Sequence, residues 1–382
     1  MQKVYFDSAA TTEVRPEVIE KMVSVLKEDF GNPSSIHGYG RSAKNHIEQA
    51  RKNIANYLGV KASEIIFTSG GTEADNLVIN SVVRDLKVTH IITSKIEHHA
   101  VLHTVQEIES RNNILVSYVA IHPDGTIDYE HLESLLNSSK EKTLVSLMHV
   151  NNEVGTILDI DRVGKLCKQY EAIFHSDMVQ SVGHYEVNLS EIDVDYTAVS
   201  AHKFHGPKGI GFAYIRKNSG LKPLIFGGEQ ERGYRAGTES VHNIAGMDEA
   251  LRLSYENLEE EKAYIQDVKQ YFIDTLKSNI EGVKFNASCC DVKNSTYTLI
   301  NVCLPVSVEK AGILLFHLDI NGIACSKGSA CQSGSGKGSH VLTEILSDED
   351  LQKPSIRFSF SKYNTKEEVD YVVDVLKKFI EE

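Results

Sequence analysis

The chain has 382 residues, with 53 acidic side chains against 40 lysines and arginines, a formal charge of −13. That balance excludes a general attraction to nucleic acid or to an anionic membrane surface. No apolar run reaches the ~18 residues of a membrane-spanning helix, and MQKVYFDSAATTE lacks the apolar core of a secretory signal, so a cytoplasmic protein of about two domains is expected.

After the N-terminal arm, Pro16 sits where a first-turn proline belongs, and Val18, Met22, Val25 and Leu26 form a helical stripe that stops at Gly31. Ala43, Ile47, Ala50, Ile54 and Leu58 form a second stripe, closed by Gly59. Strands and helices then alternate. EIIFTSGGTEADNLVINSVV and HIITSKIEHHAVLHTVQEIE each read as strand, turn and helix, and ILVSYVAI, LVSLMHV, AIFHSD and YTAVSAHK read as further short strands. This order predicts an α/β fold with a mostly parallel sheet covered on both faces.

Five of these strands end in polar groups: Thr68–Thr72, Ser94–His99, His149–Glu153, Asp177–Gln180 and Ser200–Lys203. Ligands bind outside the carboxyl ends of strands in open α/β sheets, so five such ends on one edge predict a site. SGGTEADN places glycines and Thr72 where a helix N-terminus attracts a phosphate, without the spacing of a P-loop. Lys203, between Ser200 and His202, has the company expected of a Schiff-base lysine. Asp177, ending a buried strand, suits the ring nitrogen of an electron-sink cofactor. Spacing alone leaves open whether His98 or His99 matters. It also leaves Asn152 and Gln180 as either site residues or loop satisfiers.

A long charged helix over about residues 257–278 separates this region from a smaller α+β unit, onto which the N-terminal arm is expected to fold back. EKAGILLFHLDI and KEEVDYVVDVLKKFI read as its helices, STYTLINVCL and SIRFSF as strands. Arg357 in SIRFSF is either a clamp for a buried carboxylate or an edge residue. The six cysteines form no CxxC pair, so neither a disulfide framework nor a zinc site is expected. Cys167, Cys303 and Cys325 read as packed thiols. Cys331 stands apart, in the Gly/Ser-rich CSKGSACQSGSGKGS, where an accessible thiol suits a nucleophile.

DSAATT, FGNPSSIH, FTSGGTEADN, TSKIEHHAV, MHVNNEVGT, HSDMVQSVG, SAHKFHGPKGIG, RAGTESVHNI, GSACQS and SIRFS occur in this order along the whole chain. In this series the chain resembles the cysteine desulfurases of the NifS/IscS type, pyridoxal-phosphate enzymes of class V aminotransferase type. The resemblance implies fold type I, with a seven-stranded sheet in a large domain over residues 15–256. A small domain would then comprise residues 1–14 and 257–382.

Carried over residue by residue, Lys203 is the Schiff-base lysine, Asp177 the ring-nitrogen partner and Gln180 the partner of the ring hydroxyl. His98 is the proton-shuttling histidine. Gly71, Thr72, Ser200 and His202 form the phosphate cradle, and Thr238 reaches the phosphate of the other subunit of a homodimer. Asn152 and Arg357 fix the substrate carboxylate, and Cys331 carries the sulfur as a persulfide while L-cysteine becomes L-alanine. A sulfur-acceptor protein, serving iron–sulfur clusters, tRNA thiolation or a thio-cofactor, is the implied partner.

The chain departs from the family pattern at His205, which replaces an aromatic residue, and at Cys325. The family's C-terminal tail looks absent or shortened after KEEVDYVVDVLKKFIEE, which puts scaffold docking through it in doubt. Selenocysteine lyases and aminotransferases are the neighbouring activities. A non-catalytic sulfur carrier would have no need of Lys203 and Asp177.

Overall fold

The computed structural model describes residues 2–112, 114–327 and 338–381. Among the described residues twelve strands are formed: β1 Val4–Tyr5, β2 Ile65–Thr68, β3 His90–Thr93, β4 Leu115–Tyr118, β5 Thr143–Ser146, β6 Ile173–Asp177, β7 Tyr196–Ser200, β8 Gly211–Ile215, β9 Lys284–Phe285, β10 Leu299–Cys303, β11 Ile323–Ala324 and β12 Ser355–Ser359. Seven of them make one sheet in the order β2-β8-β7-β6-β5-β3-β4. Only β8 runs against the others, because it pairs antiparallel with both β2 and β7. The carboxyl ends of β2, β3, β5, β6 and β7 therefore lie on one edge, as the alternation predicts.

The strands β2, β3, β5, β7 and β8 are buried along their whole length, as expected where helices cover both faces of a sheet. One core packs against one face through Val18, Ile47, Ile54, Phe174, Phe204 and Phe212. The other face packs on Leu77, Val78, Val82, Val101 and Val105. The helix Pro16–Glu28 buries Val18 and Val25, but Leu26 remains 52% exposed. Ile19 and Val23 share that outer face, which an isolated chain leaves uncovered.

A second core gathers Phe6, Phe272, Phe358 and Phe360, with ring centroids 5.0–6.4 Å apart. It lies between the sheet β12-β10-β9 and the helices Leu258–Asn279 and Lys366–Glu381. The segment EKAGILLFHLDI departs from the single expected helix: it forms Val308–Ala311 and Leu314–Ile320, broken at Gly312–Ile313. Glycine has poor helix propensity, which places the break there.

The N-terminal arm joins the two cores. β1 pairs parallel with β11, Val4 opposite Ile323. The Ala9 N–H donates to Ser359 Oγ at 2.9 Å, and the Thr12 N–H then donates to the His202 carbonyl at 2.9 Å.

Candidate active site

The strand register sets three chain segments level at the sheet edge: Thr68 opposes Gly211, which in turn opposes Ser200. A Cβ on Gly211 would lie 2.2 Å from the Val199 carbonyl oxygen and 2.8 Å from the Gly70 Cα. Only glycine lets the turn after β2 sit this close. The helix Gly71–Leu86 begins there, with its unpaired N–H groups and positive dipole end at the sheet edge. Glu73 braces the turn by accepting from the Ser69 N–H at 2.8 Å, and it pairs with Arg235 at 2.8 Å. This arrangement can hold a phosphate.

Asp177 ends β6 and is 5% exposed. Its Oδ1 accepts from the Val179 N–H at 2.9 Å. Burial pushes the carboxyl up to about 6, against the pull of that N–H and of Lys203. Lys203 follows β7 on a short 3₁₀ turn, Ala201–Lys203. Its Nζ donates to the carbonyls of Ala9 at 2.6 Å and Ala10 at 2.9 Å, while Gln180 Nε2 donates to Ala9 at 2.9 Å. The N-terminal arm thus aims both side chains.

At the rim, the Arg357 guanidinium is 1% exposed. Its Nη2 meets Asp7 Oδ1 at 3.0 Å, and its Nη1 donates to the Asn152 carbonyl at 2.8 Å. Its buried Nε has no hydrogen-bond partner among the described residues. Arg357 thus has features of both readings: it lies on β12, at the edge of its three-stranded sheet, and it clamps the partly buried Asp7 carboxylate. His98 Nδ1 accepts from the Ala100 N–H at 3.1 Å. Burial, and next the charge of Lys203, pull this imidazole down to about 4, so it is neutral at ordinary pH.

These groups line a single cavity of about 540 Å³. Gly71, Thr72, Ser200 and His202 line it beside the glycine turn, together with Asp177, Gln180, Lys203, His98, Asn152 and Arg357. The structure thus brings together ten of the twelve residues singled out in the sequence. Thr238 does not line this cavity and is exposed. Cys331 lies outside the described residues.

His205 turns out of the site. Its backbone is left-handed at φ +65°, its Nδ1 meets the Glu13 carbonyl at 2.8 Å, and burial pulls it down to about 4. Cys325 is a packed thiol, pushed up to about 12 by burial.

Sequence reading missed Asp7, Asp75, Glu97 and His175. Asp75 and the cavity share a wall, yet in SGGTEADN it looks like one more polar residue on a helix. The available signal was alternation: in HSD, His175 and Asp177 project from the same face of β6.

A phosphate cradle, a buried carboxylate and a lysine amine in one cavity fit a phosphorylated pyridine that forms a Schiff base. The cavity volume lies within the range of roughly 300–1,000 Å³ usual for small-molecule sites.

The family model "Aminotransferase class-V" matches residues 4–372. A "Cysteine desulfurase IscS" of Dictyoglomus turgidum is 44% identical over all of this chain and 95% of its own length. "Putative cysteine desulfurase IscS 1" of Bacillus subtilis is 43% identical over 99% of this chain and 100% of its own. Among solved structures, a "NIFS-LIKE PROTEIN" superposes with a TM-score of 0.90 at 36% identity, covering 100% of both chains. "SspA in complex with cysteine" superposes at 0.81 with 33% identity, covering 95% of this chain and 100% of that one.

Proposed function

The chain belongs to the class-V aminotransferase family, in its cysteine desulfurase branch, and from that premise we propose how its pocket removes sulfur from L-cysteine. The observation that carries the proposal is the presence of Lys203, Asp177 and Arg357 on one cavity beside the glycine turn. The cofactor of this family is pyridoxal 5'-phosphate, which when bound supplies an electron sink for the substrate α-carbon.

Gly71, Thr72, Ser200 and His202 would hold its phosphate, Asp177 its ring nitrogen and Gln180 its hydroxyl. Arg357, whose Nε has no hydrogen-bond partner among the described residues, would fix the substrate carboxylate with Asn152. Lys203 would hold the cofactor through its Nζ, and that amine, when released, would take the substrate α-proton. His98, neutral and buried, passes protons between substrate and surroundings. Cys331 as thiolate attacks the substrate sulfur. The carbon–sulfur bond breaks, a persulfide stays on Cys331, and the carbon skeleton leaves as L-alanine once protonated.

Incubation with L-cysteine, followed by mass spectrometry of alanine and protein persulfide, tests this. Equal release of both is expected, and full alanine production by Cys331→Ala would overturn the persulfide step.

The working unit in this reading is a homodimer, in which the partner subunit's Thr238 completes the phosphate cradle. Two observations support it: Thr238 is exposed away from its own pocket, and Ile19, Val23 and Leu26 form an uncovered apolar face. Residues 15–256 form the large unit, and residues 1–14 and 257–382 the small one. A sulfur-acceptor protein takes the persulfide. Residence in the cytoplasm agrees with the five free thiols of the described residues. No helix of the described residues is long and apolar enough to cross a membrane.

A further inference from the structure

Beneath the floor of the pocket lies a buried group that the reaction above does not use. Asp75, on the helix Gly71–Leu86, is 1% exposed, and His175, two residues before Asp177 on β6, is 0% exposed. Asp75 Oδ1 and His175 Nε2 lie 3.4 Å apart without making a hydrogen bond, and neither atom has a hydrogen-bond partner among the described residues. His175 Nδ1 meets Ser146 Oγ at 2.9 Å. Asp75 lines the same cavity as Asp177, so two carboxylates stand at one floor.

We propose that Asp75 is a neutral, proton-bearing acid held by His175, and that this pair positions the negative charge of the floor on Asp177. The inference rests on the reading of Asp177 as the ring-nitrogen partner. Two carboxylates that share a dry site do not both ionise; one keeps a proton. What separates them here is their surroundings. Asp177 accepts a backbone N–H and feels the charge of Lys203. Asp75 has neither, and it faces Asp177, Glu97 and a neutral imidazole.

In the proposed state His175 carries its proton on Nδ1, toward Ser146 Oγ, and its free Nε2 lone pair, 3.4 Å from Asp75 Oδ1, is the acceptor that the acid's O–H would take. The proton is thereby kept off Asp177. Glu97, the third acid near this floor, is raised by burial to about 8 and stays neutral beside them. Asp75 and His175 touch no reacting atom, so their role is positioning.

The test uses enzyme loaded with pyridoxal 5'-phosphate and measures its dissociation constant by equilibrium dialysis, with the absorbance of the bound cofactor followed against pH. In H175F the acid loses its acceptor and shares its proton with Asp177. Affinity is then expected to fall about tenfold, the loss of one charge-assisted hydrogen bond, and the absorbance titration to move. In D75N/H175F residue 75 can no longer compete for the charge, and affinity should return to within about threefold of the parent, a coupling characteristic of groups in contact.

D75N alone, which keeps size and donor, should bind the cofactor within about threefold of the parent, and it decides the matter if H175F does not fold. A double variant no better than H175F, or a tenfold loss in D75N alone, overturns the proposal. D177N separates the two readings: if it leaves affinity and absorbance unchanged, the ring-partner reading itself fails. If D177N and D75N both weaken binding, only the present proposal fails.

Discussion

Asp75 and Asp177 line the pocket with His175 buried behind them; the three come from one strand and one adjoining helix, and all are at most 5% exposed. At the rim, Arg357 clamps Asp7 from 350 residues away and the Asn152 carbonyl from 205. The floor gets its charge states from desolvation, which raises Asp177 and lowers His175 to about 3. The rim gets its order from pairing, with a guanidinium fork holding two distant segments. Changes of charge should therefore damage the floor, and changes of shape the rim.

The largest effect is expected at Lys203, which joins the two regions. Lys203→Ala should lower alanine release from L-cysteine by about 10³-fold, within the range of a lost general acid–base group. At the floor, Asp177→Asn keeps shape and removes charge. It should lower kcat by roughly 10–100-fold, the worth of a charge-assisted hydrogen bond of about 1.5–3 kcal/mol. At the rim, Arg357→Lys keeps charge and removes the fork. It should raise KM about tenfold, near 1.4 kcal/mol of binding, with kcat nearly held. If Arg357→Lys lowered kcat more than Asp177→Asn does, the contrast would be reversed.

The smallest effect is a slope. His98, His149, His175, His202 and His205 are pulled down to about 3–4, chiefly by burial, and stay neutral in the fold. In the unfolded chain they take up protons below about pH 6.5. The unfolded state then binds more protons, so stability rises with pH between about 4 and 6.5. Asp75, Glu97 and Asp177 are raised and act in the opposite direction over part of this window, but they are fewer. Urea midpoints of cofactor-free protein should therefore climb across it; a flat or falling trend would mean that the acids outweigh the imidazoles.

The sheet edge was legible in the sequence because each of its strands carries its own punctuation: a short apolar run, then polar residues and glycine. Lys203, Asp177 and Ser200 sit at those breaks, so local pattern was enough to place them. Arg357 was ambiguous because its role depends on Asp7, and no local pattern connects residues so far apart. Asp75 was silent for another reason. A carboxylate in the first turns of a helix is ordinary, and only the buried imidazole opposite gives it meaning. The split of EKAGILLFHLDI was open to inspection at its glycine, but the apolar spacing outweighed it. Thr238 is legible only by resemblance, since the described chain turns it away from its own pocket.

The arm at residues 4–12 has a consequence for the order in which the molecule can be made. Lys203 is held by the carbonyls of Ala9 and Ala10, and that stretch is itself held by β11 and by Ser359. The ribosome delivers the arm more than 300 residues before these anchors. Contacts of such long sequence separation form slowly. A nascent chain with every strand of the large sheet in place still lacks an aimed lysine, so the capacity for chemistry is withheld until β11 and Ser359 have also been made.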